Sequence, residues 1–182
     1  MHRRMSDSPM TRLVRPSAHL ERSHASFVSE VIKRGEKLVP WVLAEVGDDF
    51  DAYVVMLERQ SQGIELPAGF VPSSTFWLLD STDEIVAVSN LRHSLTEFLL
   101  SYGGHIGFGV RPSARLQGYA TEVLRQTLRE ARTRGIQDVL VTCDKGNIGS
   151  SKAILSNGGE FDGEQYMEEH SSTVQRYWFR GQ

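Results

Sequence analysis

The chain has 182 residues, enough for one domain with a full core and short of what two would need. At 40% hydrophobic and 24% charged it has the composition of an ordinary soluble globular protein, and no apolar run approaches membrane-spanning length. A net charge of −3 argues against nucleic acid as the main partner. Cys143 is the only cysteine, so an intrachain disulfide is impossible. With no apolar leader at the N-terminus, a cytoplasmic setting is expected. There is no Cys/His cluster of structural-zinc type, and no metal is expected.

Residues 1–11 are polar and poor in core formers, and read as a frayed tail ahead of a single domain over 12–182. Leu13, Val14 and Arg15 form a short first strand. Ser17 can cap a helix that places Leu20, His24, Phe27, Val28, Val31 and Ile32 on one face, and Gly35 ends it. Residues 37–46 fit no single pattern. A second helix starts near Asp48 or Asp49 and runs to about Gln60. Pro67, Gly69 and Pro72 mark a loop. Two β-rich runs, 75–79 and 85–91, flank the polar turn 81–84 and read as a hairpin. Residues 93–101 suit one or two helical turns with Leu95, Phe98 and Leu99 inward.

The next stretch organises the rest. Ile106, Phe108 and Val110 alternate with Gly107 and Gly109, which is strand periodicity, and Pro112 ends the run. Ala120, Val123, Leu124, Leu128 and Ala131 then recur at helical spacing up to Gly135. A helix N-terminus carries unpartnered N–H groups and the positive end of the macrodipole. Gly118 lets a ligand approach the backbone closely, and Arg115 adds a charge that could reach phosphate oxygens. The loop therefore reads as a phosphate or pyrophosphate site, although an ordinary strand-to-helix turn would leave the same pattern. It is neither a dinucleotide fingerprint nor a P-loop.

Val139, Leu140 and Val141 begin a buried strand. Asn147 can cap a short helix that Asn157, Gly158 and Gly159 end. The remainder, 160–180, reads as two strands around a turn near Ser171, closing on Tyr177, Trp178 and Phe179. The strand–helix–strand step at the centre implies a crossover and a parallel pair, hence a mixed α/β sheet.

The pattern filled by Arg115, Gly118 and Ala120, after a strand ending in Val110 and Pro112, resembles the acyl-CoA loop of the GNAT acyltransferase superfamily. The element order from Leu13 to Phe179 is similar to that of the same family. A second stretch, Val141 to Lys152, resembles the segment whose asparagine and serine line the coenzyme channel. The resemblance implies the GNAT fold: a central, mostly antiparallel mixed sheet, a parallel pair at the cofactor site, and flanking helices. It implies acetyl-CoA as donor, with its diphosphate on the amides of Arg115, Leu116, Gln117, Gly118, Tyr119, Ala120 and Thr121. The pantetheine arm would lie along Phe108, Gly109 and Val110, near Asn147 and Ser150 or Ser151. Asn147 could equally be a helix cap and nothing more.

On that resemblance the chain is an N-acetyltransferase acting on a primary amine of a small molecule or peptide by direct attack. The position where many members carry a tyrosine acid is Ile154, and Tyr166 or Tyr177 could stand in. His105, or a His93–Glu97 pair at i and i+4, could accept the amine's proton. Arg92 could orient an anionic acceptor, or be a plain surface charge. A module that binds acyl-CoA without turnover is the alternative, and a phosphate-binding domain of another α/β family is a third reading. The aromatic end at 177–179 suits a homodimer or a monomer core equally.

Overall fold

A computed structural model of the chain describes residues 10–181; the tail expected over 1–11 lies outside them as far as position 9. In chain order the elements are β1 (Arg12–Val14), α1 (Glu21–Lys33), α2 (Phe50–Ser61), β2 (Ser73–Leu79), β3 (Ile85–Arg92) and α3 (Glu97–Ser101). There follow β4 (Ile106–Val110), α4 (Tyr119–Thr133), β5 (Val139–Asp144), α5 (Ile148–Ser156), β6 (Glu160–Met167) and β7 (Ser172–Phe179). No helix among the described residues is long and apolar enough to cross a membrane.

Every residue of β2 is buried, and all of β3 except Arg92, because helices cover both faces of this sheet. Trp77, Leu79, Ile85 and Val88 pack with Phe27, Leu43 and Leu57 from the α1–α2 side. Phe76 and Leu91 pack with Leu124 and Leu128 of α4, and Leu78, Val86 and Ala87 with its Val123. The strands form two sheets, β1-β2-β3-β4 and β5-β7-β6, in which every ladder is antiparallel.

The central strands β4 and β5 are neighbours, but no ladder joins them. They are pinned only at their starts. His105 N donates to Leu140 O at 2.7 Å, and Leu140 N donates to His105 Nδ1 at 3.0 Å. Gly104 permits that approach, since a Cβ there would sit 2.5 Å from Leu140 O. Beyond this point the molecule has a gap where a parallel ladder would otherwise run.

Local details depart from the sequence pattern where tertiary packing decides. Ser17 does not cap α1; its hydroxyl bonds His19 Nδ1 at 2.7 Å, and a single 3-10 turn over Ala18–Leu20 precedes the helix. Asp49 does cap α2, accepting from Ala52 N at 2.9 Å. Ile32 and Phe98, expected inward, are exposed. Phe98 turns out because α3 starts only at Glu97, capped by Thr96, which orients Leu99 toward the core instead. Tyr177 and Phe179 are core residues, because β7 is the middle strand of its sheet.

Candidate active site

The chain leaves β4 through Pro112 and enters α4 at Gly118. Leu116 (φ 62°) and Gly118 (φ 87°) both take left-handed backbone angles, which bend the loop so that its amides face outward. The N–H groups of residues 116–121 make no hydrogen bond to any described residue; the first amide of this turn with a partner is Glu122 N, on Gly118 O at 3.1 Å. Nothing lies within 4 Å of where a Cβ on Gly118 would be, so the concave side is open. A helix terminus of this kind can hold an anion.

Arg115 is held otherwise than its pattern suggests. Its guanidinium lies across the Glu36 carboxylate, with Nη1 3.0 Å from Oε1, so Glu36 largely neutralises the charge expected to face phosphate. The guanidinium holds the Glu36 carboxyl below its usual range.

The register of β4 on β3 decides which backbone groups face the gap. Arg92 N on His105 O (2.7 Å) and Arg111 N on Val86 O (2.9 Å) bracket the ladder. With Ser89 opposite Phe108 and Ala87 opposite Val110, Gly107 and Gly109 bond β3, while the amides and carbonyls of Phe108 and Val110 point toward β5. Of the expected contact residues Phe108, Gly109 and Val110, only Phe108 and Val110 present main-chain groups to the gap; the main chain of Gly109 is committed to Val88.

A cavity of about 240 Å³ occupies the gap. Its walls include Phe108, Thr142, Cys143, Asn147 and Ser150, together with Arg92, Tyr102 and Trp41. Asn147 caps α5, its Oδ1 accepting from Ser150 N at 3.0 Å, while its Nδ2 has no partner among the described residues. The cap thus uses the oxygen alone and leaves the amide donor of a cavity-lining side chain unused. A larger hollow of about 500 Å³ between α1 and residues 46–50 contains none of these groups.

The three side chains expected to take the amine's proton do not line the cavity. His105 is buried, and its Nδ1 accepts the Leu140 N–H, which leaves the ring proton on Nε2 and no spare lone pair. Burial, then the Arg92 charge, pull its pKa down to about 4. His93 lies outside α3 and so shares no helix face with Glu97; its Nε2 meets Ser74 Oγ at 2.9 Å. Glu97 is an exposed first-turn residue of α3. Ile154 is fully buried in the core, so α5 offers no acid there. Tyr166 is exposed, and the Tyr177 hydroxyl donates to Gln175 Oε1 at 3.0 Å.

Periodicity gives no hint of Tyr102, which stands in the turn before β4. It lines the cavity, and its ring stacks on His170 with centroids 4.6 Å apart. Burial, and then the Asp144 carboxylate, push its phenol upward, so it stays protonated at neutral pH. The only signal in the sequence is the pair Gly103-Gly104 behind it, whose positive φ angles (116° and 60°) mark a tight turn at this point.

A split sheet with an open helix terminus beside the gap defines an acyl-transfer fold, and the family comparison agrees. A family model described as an acetyltransferase (GNAT) domain matches residues 12–160, and the chain belongs to that family. It is an N-acetyltransferase by that membership. Solved structures share the fold. The chain is similar to RimL, a ribosomal L7/L12 alpha-N-protein acetyltransferase in complex with coenzyme A (15% identity, TM-score 0.68, 94% of each chain covered). It is also similar to an acetyltransferase from Salmonella typhimurium that modifies the N-terminal serine of L7/L12 (14% identity, TM-score 0.67, 94% and 95% covered). A third likeness is the microcin C7 self-immunity acetyltransferase MccE bound to acetyl-CoA and AMP (14% identity, TM-score 0.66, 96% and 97% covered). No curated protein matches the sequence significantly.

Proposed function

We propose that residues 12–182 act as one unit that transfers an acetyl group from acetyl-CoA to a primary amine of a small molecule or peptide by direct attack. The observation that carries this is the run of unpartnered amides at 116–121 next to a strand edge with no ladder partner. The diphosphate sits on those amides, and the pantetheine amides pair with Phe108 and Val110 as an added strand. Relatives in complex with coenzyme A and with acetyl-CoA support the donor. A metal plays no part in this reading.

The amine arrives as its ammonium and loses a proton to solvent at the cleft mouth. Its lone pair attacks the thioester carbonyl, forming the C–N bond, and the main-chain N–H of Val110 faces the developing oxyanion. As the C–S bond breaks, Tyr102 donates its phenolic proton to the leaving thiolate and regains one from solvent. The second amine proton leaves to water, giving the N-acetyl amine and free CoA. Tyr102 takes the acid's role that the buried Ile154 cannot fill.

Calorimetric titration with acetyl-CoA tests the donor. Saturable binding in the wild type, lost in Gly118→Val while the fold still melts cooperatively, is expected; no saturable heat at millimolar ligand overturns the reading. CoA thiol release across a panel of amines then separates transfer from the alternative, an acyl-CoA-binding module, which the burial of Ile154 at the acid position favours.

A further inference from the structure

Arg92 ends β3 with its side chain turned into the cleft wall, where it lines the cavity beside Gly103 and Gly107. Its Nη1 donates to the carbonyls of Gly103 and Gly104, both at 3.0 Å. A guanidinium carries five N–H donors, and the ones on Nε and Nη2 have no partner among the described residues. These two nitrogens are not sealed in packed protein either, so the cavity is what they face.

No carboxylate among the described residues pairs with Arg92. Arg111, similarly buried, pairs with both Glu30 and Glu84. A desolvated cation with no counter-charge is unfavourable, and burial pulls the Arg92 pKa down to about 10. An unmatched cation that faces a cavity calls for an anion from outside the chain. The diphosphate is already provided for at the start of α4, so the anion belongs to the acceptor. The free Nε and Nη2 present two parallel N–H groups, the fork that matches the two oxygens of a carboxylate. The opposite charge is available too. Asp144 lines the same cavity, is exposed, and has no ion pair among the described residues.

Building on the acetyl-transfer reading, we propose that the acceptor is a small amino acid, its carboxylate held by the free edge of Arg92 and its ammonium drawn in by Asp144 before it loses its proton. The cavity thus selects a zwitterion over a plain amine. The attack itself is unchanged: the C–N bond forms, the C–S bond breaks, and the carboxylate takes no part beyond anchoring.

Matched acceptors test this. Glycine, serine, glutamate, β-alanine and γ-aminobutyrate are each compared with the corresponding carboxamide and the decarboxylated amine, following CoA thiol release. At least one acid is expected to exceed its amide in kcat/KM by about tenfold or more. Arg92→Gln should bring acid and amide to parity, mainly through KM for the acid, with acetyl-CoA binding retained by titration. Arg92→Lys keeps the charge without the fork, so it should keep part of the preference; it also serves if Arg92→Gln fails to melt cooperatively. Amides turned over as well as acids, an acid preference that survives loss of the guanidinium, or acetylation of no acid at all each overturns the proposal. Failure of acetyl-CoA to bind would instead sink the acetyl-transfer reading, so the two failures are distinct.

Discussion

The carbonyl of Val39 lies against Gly109 so closely that a Cβ at position 109 would overlap it. The segment that walls the cavity with Val39, Pro40 and Trp41 is therefore seated directly on β4, and glycine is required for that contact. Gly109→Ala is expected to push this segment off the strand and destabilise the protein by about 1–3 kcal/mol. Gly146→Ala, with open space around it and no positive φ, is the control and should be close to neutral. Thermal melting and acetyl-CoA titration of the two variants check both parts.

Glu36 holds Arg115 away from its expected role, and removing the carboxylate should release it. Glu36→Gln is expected to tighten acetyl-CoA binding about twofold to fivefold at low ionic strength, with the gain fading in high salt. The pair is solvent-exposed, so the melting temperature should barely move. Titrations at two salt concentrations decide it; an unchanged or weaker affinity at low salt would show that Arg115 is out of reach of the diphosphate.

On the proposed function Asn147 would carry two separable tasks, the cap and a contact to the donor. Asn147→Asp keeps an oxygen to accept from Ser150 N but removes the Nδ2 donor and adds a negative charge. It should fold as well as the wild type and bind acetyl-CoA more weakly. Asn147→Ala loses the cap as well, at about 1 kcal/mol of stability. Denaturant midpoints and calorimetry on the two variants separate the cap from the ligand contact.

Tyr102→Phe should leave acetyl-CoA affinity unchanged and lower kcat, because the ring and its stack on His170 remain while the proton donor goes. The loss should be on the order of 10²-fold if protonation of the thiolate is rate-limiting. A full-rate phenylalanine variant would show that the thiolate is protonated by water.

Two histidines make the fold acid-sensitive. His24 sits among the rings of Phe50, Tyr53 and Trp77, and burial takes its pKa down to about 4; His105 falls to about 4 through burial and Arg92. Both are neutral at pH 7 in the folded chain and mostly neutral in the unfolded one. Below the unfolded value near 6.5 the unfolded chain takes up protons that the folded chain refuses, so stability falls as pH drops toward 4. At pH 5 each histidine should contribute a loss of about 1–2 kcal/mol. Urea midpoints between pH 7.5 and 5 should decline, and the decline should be shallower in His24→Phe.

What the sequence made legible was local. Gly118 at a positive φ, the alternation through Phe108, the Asn147 cap and the order of elements all follow from neighbours within a few residues. What it hid depends on distant partners. Glu36 lies far along the chain from Arg115, so the charge expected for phosphate could not be seen as neutralised. His105 looked free until Leu140 was folded against it. His93 is kept out of α3 by Thr96, which caps the helix three residues later. Tyr102 sits in a turn, where no periodicity reports which way a ring points.

β7 lies between β5 and β6, and it is the strand that reaches the ribosome exit last of the three. During synthesis the β5 and β6 edges therefore wait without a partner, and the proposed coenzyme cleft lacks its second wall until the segment up to Phe179 has emerged. Donor binding should accordingly appear only once β7 has docked between its neighbours, and a nascent chain stalled before Ser172 should hold no coenzyme.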